Sequence, residues 1–559
     1  MSWKIKENYR QLLAAESGAV SKNWGGKLTI CLVYPNYYAT AMSNLGFQSV
    51  YAFCNSLPDV VCERAFLPPA VELKEYRKSG SRLLSLESQR PLNDFDVLAF
   101  SVSFENDYLN IPAIFDLAGI PPFASERDAS YPLVMAGGAA LFLNPEPVAE
   151  LLDLVCVGEG EAILPRLLDF LLAQGGTARA ELLDNALQLP GIYVPSRYRV
   201  MYDNGGIAHI EGLGGAPARV KRAWDTDLNA SVVASSLFAP GTEFADMYLI
   251  EVSRGCPRGC RFCAAGFIYH PFRQRSLELL KQEAEKGLAL KERIGLVGAA
   301  VSDYRDLGEL CRFISENGGK VSVSSLRIDA LDEDLLDILH ASGHKTVALA
   351  PEGGSQRLRD LIRKDLTEEQ ILGACDTLIG RDILNLKLYF IIGLPSETEQ
   401  DLAEMVALIE KIRERVIAAA KKNRRLGSVL LSINPFVPKP FTPLQWSGME
   451  ALASLEKKYH YLRRAVGSLS NVKIQLESLR EAFLQALLSR GDRRLADFLV
   501  MAHRTGNWKK AAKELQLDTE RLVTRTIPLE ETLPWDTIDG GERARLVKEY
   551  ERALHPQSG

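Results

Sequence analysis

Three cysteines fall within one eight-residue window, Cys256-Pro-Arg-Gly-Cys260-Arg-Phe-Cys263. Thiolates on such a short loop are soft ligands for zinc or for an iron–sulfur cluster. A 4Fe-4S cluster held by three thiolates keeps one iron free of protein ligands, and that open position can take a small molecule. The alternative is a closed zinc site in which His270 completes a Cys₃His set. Zinc sites usually pair C-x-x-C with a separate second ligand pair, a spacing this window lacks. The chain has nine cysteines, an odd count that suits metal binding in a reducing compartment better than a disulfide scaffold.

The thiols follow the apolar run MYLIEVS directly, which places them in a loop after a strand. From Asp246 onward this run is followed by IGLVGAAVS, VSVSSLRI, TVALAPEG, LNLKLYFIIGLP and VLLSINPFVP, with helical stretches between most of them. Six βα units with polar residues recurring just after each strand predict a partial (β/α)6 TIM-type barrel over residues 242–450, whose active site lies at the carboxyl ends of its strands. Upstream, KLTICLVYP, DVVCERAFLP, FDVLAFSVSF, YPLVMAGGAA and DLVCVGEGEA alternate with helical sequence, and predict a doubly wound, Rossmann-like parallel sheet over residues 25–185. Residues 1–24 read as an N-terminal helical extension. Residues 186–241 read as a linker holding a β-hairpin at Asp203-Asn204-Gly205-Gly206, and residues 451–559 as a helical region. The fold class is thus α/β.

At 559 residues, 47% hydrophobic and 25% charged, the chain has the composition of a globular protein of several domains. Its formal net charge of −5 gives no global reason for nucleic acid or membrane as partner. The first residues lack the apolar core of a signal peptide, and no later run reaches the roughly 18 apolar residues of a span, so the expected location is cytoplasmic.

The spacing C-x-x-x-C-x-x-C with Phe262 before the third cysteine resembles the radical S-adenosylmethionine superfamily. The resemblance implies that Cys256, Cys260 and Cys263 hold a 4Fe-4S cluster, that the methionine end of S-adenosylmethionine chelates the open iron, and that an electron cleaves the sulfonium to a 5′-deoxyadenosyl radical. It also implies cofactor contacts at Phe262, at the backbone of Gly298, Ala299 and Ala300, at Ser324 and Arg327 for the carboxylate, at Glu352, and at Gly393 beside the adenine. The usual acidic residue of the second-strand motif is Ala300 here, with Asp303 a distant substitute. An external electron donor such as flavodoxin or ferredoxin is implied as partner.

The first domain resembles the cobalamin-binding domain that precedes many such barrels, through Gly137-Gly138, Asn144-Pro-Glu-Pro147 and Gly158-Glu159-Gly-Glu161. Cobalamin contacts are accordingly expected at Gly137, Gly138, Gly158 and Glu159. The first histidine of the chain is His209, so no imidazole of this domain reaches the lower face of a corrin. The whole chain also resembles an uncharacterised subfamily of two-domain radical enzymes, through stretches such as YPNYYATAMSNLGFQSVY and LPWDTIDGG.

Basic residues cluster at Lys411, Arg413, Arg415, Lys421, Lys422, Arg424 and Arg425, and again at Arg490, Arg493 and Arg494. A solvated helix face is the simpler reading, and a nucleic-acid surface the other. Trp508 and Trp535 read as packing residues. Three functions are consistent with the sequence: a radical enzyme acting on a small-molecule or macromolecular substrate, with cobalamin-assisted methylation as one form; a tRNA- or protein-modifying radical enzyme whose first domain is scaffold; and an iron–sulfur redox sensor without turnover.

Overall fold

The computed structural model describes residues 3–555 except Asn204, Ser324, Ser325, Asp332 and Arg424, with the backbone alone for residues 420–423. The chain forms two compact units. One comprises Met1–Ala245, Leu487–Thr519 and Glu530–Gly540; the other comprises Asp246–Ala486, Glu520–Leu529 and Gly541–Gly559. Residues 451–559 therefore do not form a body of their own, because their packing partners lie far back in the sequence.

In the first unit, Leu28–Tyr34 is flanked by Val60–Phe66 on one side and by Val97–Ser101, Leu133–Gly137, Leu154–Cys156 and Ile192–Tyr193 in turn on the other. The first five are parallel and Ile192–Tyr193 is antiparallel. The runs LTICLVY and VLAFS are almost continuously apolar because a parallel strand is covered on both faces. Val60–Phe66 carries Glu63 and Arg64 inside the fold, which is affordable only with partners. Arg64 is held by Glu16 at 2.6 Å and Glu87 at 2.7 Å, while Glu63 accepts from the Trp24 indole at 2.8 Å and the Ser85 hydroxyl at 2.6 Å.

Helix Leu495–Thr505 packs on Glu105–Asn110 and Glu146–Leu151, the segments that follow the third and fourth strands of the chain. The Asn144 amide donates to the carbonyls of Ser489 at 3.1 Å and Gly491 at 2.7 Å, and Arg493 binds Glu146 at 2.9 Å. The linker hairpin is present as Tyr198–Asp203 against Gly206–Gly212, with Asn204 of the expected turn outside the described residues.

Among the described residues the second unit holds seven parallel strands in two sheets, each in chain order. Met247–Glu251, Arg293–Val297 and Lys320–Val323 form one; Thr346–Glu352, Asn385–Ile392, Ser428–Pro435 and Val472–Leu476 form the other. No ladder joins the two sheets among the described residues, so the strands stand in barrel order without the closure a full barrel has. One bond, from the Leu326 N–H to the Ala348 carbonyl at 3.4 Å, crosses the gap. The seventh strand falls in the region expected to be helical; Val472, Ile474 and Leu476 alternate with exposed Lys473 and Gln475, which suits an edge position. No described helix is long and apolar enough to cross a membrane.

Candidate functional site

Parallel pairing puts the carboxyl ends of neighbouring strands of each sheet at the same edge, and the chemistry-bearing loops follow those ends. After Met247–Glu251 the chain makes a two-residue pairing, Ser253–Arg254 with Arg273–Gln274, and enters the cysteine loop at Gly255. Gly255 has φ +85°, and a β-carbon there would lie 2.3 Å from the Tyr269 carbonyl oxygen, so only glycine opens the loop this way. The loop is fastened at Arg261, between the second and third thiols. Its N–H donates to the Ile362 carbonyl at 2.9 Å, its carbonyl accepts from Leu444 at 3.2 Å, and its guanidinium reaches Glu549 at 3.1 Å and the Leu361 carbonyl at 2.8 Å.

Cys256, Cys260 and Cys263 are half-buried free thiols. Burial pushes Cys260 up to about 11; Lys364 opposes the rise, while the other two thiols and Glu352 add to it. Cys263 is raised for the same first reason and also feels Cys256. Each thiol is thus within electrostatic reach of another, and a bound cation is what would turn three mutually repelling thiolates into a stable set. As the side chains stand, no three His, Cys, Asp or Glu among the described residues converge on a metal position. The donor chemistry fits an iron–sulfur cluster with one open iron: three soft donors on one fastened loop. His270 is exposed.

The other expected residues divide. Gly298 follows Arg293–Val297, and a β-carbon there would meet the Ser253 Oγ at 2.9 Å; that hydroxyl is buried with no hydrogen-bond partner among the described residues. Ala299 is exposed and Ala300 buried, while Phe262 is half-buried in the cysteine loop. Ser324 lies outside the described residues. Arg327 is engaged: its guanidinium donates to Asp329 at 2.6 Å and stands 3.7 Å from Asp303. Asp303 in turn takes Arg258, from inside the cysteine loop, at 2.6 Å. Glu352 ends its strand with φ +63°, a strained conformation for a non-glycine residue, and faces Lys364 at 3.5 Å. Burial raises the Glu352 carboxyl and Lys364 opposes it. Gly393 has its N–H bound by Glu397 at 2.7 Å, and the space beside its α-carbon is taken by Leu455 and Glu450 rather than left open.

Sequence reasoning did not find Arg258, Asp329, Lys364 or Glu549. Arg258 sits among the cysteines and could have been read from its place between them. Lys364 and Glu549 carried no local signal, because their meaning lies in the electrostatic influence of one on Cys260 and the ion pair of the other with Arg261, across long stretches of chain.

In the first unit the glycines expected to cradle a corrin are used by the chain itself. A β-carbon on Gly138 would stand 2.4 Å from the Val102 carbonyl oxygen, and one on Gly158 would stand 2.0 Å from that of Ala223. A β-carbon on Gly137 would stand 3.3 Å from that of Cys156, and Glu159 is buried, accepting from the Asp225 N–H at 3.0 Å. A cavity of about 350 Å³ in this unit is lined by Tyr34, Thr40, Ser43, Asn44, Phe104 and Glu243, with Ala39. It lies over the carboxyl ends of Leu28–Tyr34 and Val97–Ser101, the point where strand order reverses and open α/β sheets take ligands.

Of the basic clusters, the side chains of Lys421, Lys422 and Arg424 lie outside the described residues, and the others have partners within the fold. Lys411 pairs with Glu368 and Arg415 with Asp376, Arg413 donates to Ser470, and Arg425 stands 3.7 Å from Asp382. Arg490 is buried, Arg493 is bound to Glu146, and Arg494 is bound to Asp492. Trp508 and Trp535 are buried.

Residues 46–195 match the family described as "Radical SAM proteins, N-terminal", and residues 250–409 match "Radical SAM superfamily". The chain is 30% identical to the uncharacterized protein MJ0966 of Methanocaldococcus jannaschii over 476 residues, 84% of this chain and 90% of that one. It is 27% identical over 206 residues to the ribosomal protein uS12 methylthiotransferase RimO of Acetivibrio thermocellus, a match spanning 34% of this chain and 45% of that enzyme. Among solved structures, the cobalamin-dependent S-adenosylmethionine radical enzyme OxsB aligns with 94% of this chain and 79% of its own, at 13% identity and a TM-score of 0.47.

Proposed function

The chain belongs to the radical S-adenosylmethionine superfamily, and from that premise we propose that Cys256, Cys260 and Cys263 hold its 4Fe-4S cluster and that the strand ends around them orient S-adenosylmethionine for reductive cleavage. The observation that carries this reading is the fastened cysteine loop after the first strand of a parallel series, with Arg327, Glu352 and the Gly298 backbone following later strands of the same unit. When bound, cluster and cofactor together supply a one-electron cleavage of the sulfonium and a radical able to take hydrogen from an unactivated C–H bond. The chain's own residues do the positioning. Three thiolates fix the metal and leave one iron without a protein ligand; the Arg327 fork suits a carboxylate; Glu352 suits an ammonium group; the carbonyls of residues 298–300 offer further acceptors. The electron comes from an external donor of the flavodoxin or ferredoxin kind.

The substrate is a small molecule or a macromolecule. The resemblance of part of the chain to enzymes named as methylthiotransferases, of a ribosomal protein in one case and of a tRNA in another, supports a macromolecular substrate, and in this reading the first unit is its platform. The close approaches at Gly138 and Gly158 are explained by the chain's own backbone, and the proposal includes no step through cobalamin. Anaerobic reconstitution with iron and sulfide, followed by EPR of the reduced protein with and without S-adenosylmethionine, tests the reading. A signal that changes on addition of the cofactor is expected; a colourless protein that retains zinc and refuses iron contradicts it. Cobalamin retained on purification together with a methylated product would assign methyl transfer and overturn the platform role.

A further inference from the structure

Between helix Gln356–Leu361 and the next capped helix the chain makes a tight turn through Ile362-Arg363-Lys364-Asp365-Leu366. Arg363 has φ +53° and Asp365 φ +52°, so two non-glycine residues in the left-handed region flank Lys364. Such conformations persist only where the surroundings over-determine them. Here they do. Buried Arg359 donates to the carbonyls of Gly353 at 3.2 Å and Gly354 at 3.1 Å on one side of the turn, and to that of Leu366 at 3.0 Å on the other. The Lys364 N–H is held by the Arg359 carbonyl at 2.8 Å. On its other face the turn meets the cysteine loop: the Ile362 carbonyl accepts from Arg261, and the Arg363 guanidinium stands 3.0 Å from where a Gly259 β-carbon would be. The turn is therefore nailed between the strand end that carries Glu352 and the loop that carries the thiols. The ammonium it delivers lies 3.5 Å from Glu352, with both side chains 16% exposed.

We propose that Lys364 is a positioning charge for the metal centre: held by this strained turn beside the cysteine loop, its ammonium favours the more negative, reduced state of the cluster and so makes electron entry easier. The role rests on the cluster reading above. A pairing with Glu352 alone would need neither the strained turn nor its bonds to the cysteine loop, and the positive charge acts on Cys260 and Cys263 as well. Net charge and solvent exposure around a cluster are among the determinants of its potential, and a fixed charge in a largely buried position is poorly screened.

The test is a mediated potentiometric titration of reconstituted protein without S-adenosylmethionine, read by the EPR signal of the reduced cluster. A low-potential reductant is oxidised by one electron as the cluster gains it. Iron and sulfide content are measured first, so a protein that never forms a cluster counts against the cluster reading and not against Lys364. K364M should lower the midpoint so that at fixed potential the reduced-to-oxidised ratio falls about tenfold, about 59 mV for a one-electron couple. K364R should stay near wild type. An unchanged midpoint in fully loaded K364M overturns the proposal. Should K364M fail to load, K364Q carries the test by removing the same charge with a polar side chain: a lowered midpoint supports the role, and an unmoved one overturns it.

Discussion

Asp329 occupies the Arg327 guanidinium that the proposed function assigns to the cofactor carboxylate, so on that reading Asp329→Asn should tighten S-adenosylmethionine binding. In the structure Arg327 donates to Asp329 at 2.6 Å, both side chains being 22% exposed, while its second acidic neighbour Asp303 stands at 3.7 Å and is already bound by Arg258 at 2.6 Å. Two arginines and two aspartates thus balance, and an incoming carboxylate must displace one acid. A charge-assisted hydrogen bond is worth about 1.5–3 kcal/mol when buried, and an exposed ion pair about 0.2–1 kcal/mol. For a pair this accessible we take about 1–2 kcal/mol, or roughly a five- to thirty-fold gain in affinity when the competing charge is removed. Asparagine keeps the size and one acceptor oxygen, so the loop should hold its course. The assay is equilibrium binding to cluster-loaded protein under anaerobic conditions, with Arg327→Lys as the converse. Lysine keeps the charge but loses the planar fork, and binding should weaken about ten- to a hundred-fold. Unchanged or weaker binding in Asp329→Asn, at equal iron content, would show that Arg327 belongs to a structural quartet and not to the cofactor site.

Gly138→Ala should destabilise the first unit by about 3 kcal/mol or more, combining strain at φ +114° with a 2.4 Å approach to the Val102 carbonyl oxygen. Gly26→Ala, at φ +72° with nothing within 4 Å, should cost about 1 kcal/mol; equal denaturation midpoints for the two would refute the close packing. Burial pushes the Asp107 carboxyl up to about 6, against the Asn36 amide that donates to it at 2.8 Å. A carboxyl raised in the folded state binds its proton there first, so its contribution to stability should grow as pH falls from about 6 to about 4, by at most about 3 kcal/mol. Denaturant midpoints over that range should lose this component in Asp107→Asn. Burial alone would raise Asp401 as well, but Arg357, Ser355 and Thr398 outweigh it and hold the carboxyl far below its usual range. Its stabilisation should be complete above about pH 4 and lost only under strong acid, whereas Asp401→Asn should cost stability at pH 7.

The strands were legible where an apolar run is bounded by turn residues: LTICLVY, VLAFS, MYLIE and NLKLYFII all lie inside runs read as strands. Val472–Leu476 was not, since five alternating residues between two helices resemble the end of a helix as much as a strand. The split of residues 451–559 over two units was beyond local reading, because nothing near Glu549 points to Arg261, nor near Gly491 to Asn144. In the candidate site the cysteines announced themselves through type and spacing. The engagement of Arg327 by Asp329 did not, since a short-range acid beside an arginine is common on any surface. Gly138 and Gly158 were legible in part. Glycine at a strand end signals close approach, but only the fold shows that the approaching group is the chain's own backbone.

The central claim, that three thiols on one loop hold a cluster through which S-adenosylmethionine is cleaved, is tested most directly by product formation. Reconstituted, reduced protein incubated anaerobically with S-adenosylmethionine should yield 5′-deoxyadenosine and methionine. The Cys256→Ala, Cys260→Ala and Cys263→Ala variants should yield none while keeping wild-type circular dichroism, since the apolar strands and not the metal supply the core. Formation of 5′-deoxyadenosine by the cysteine variants, or its absence from wild-type protein whose cluster is loaded and reduced, would contradict the account.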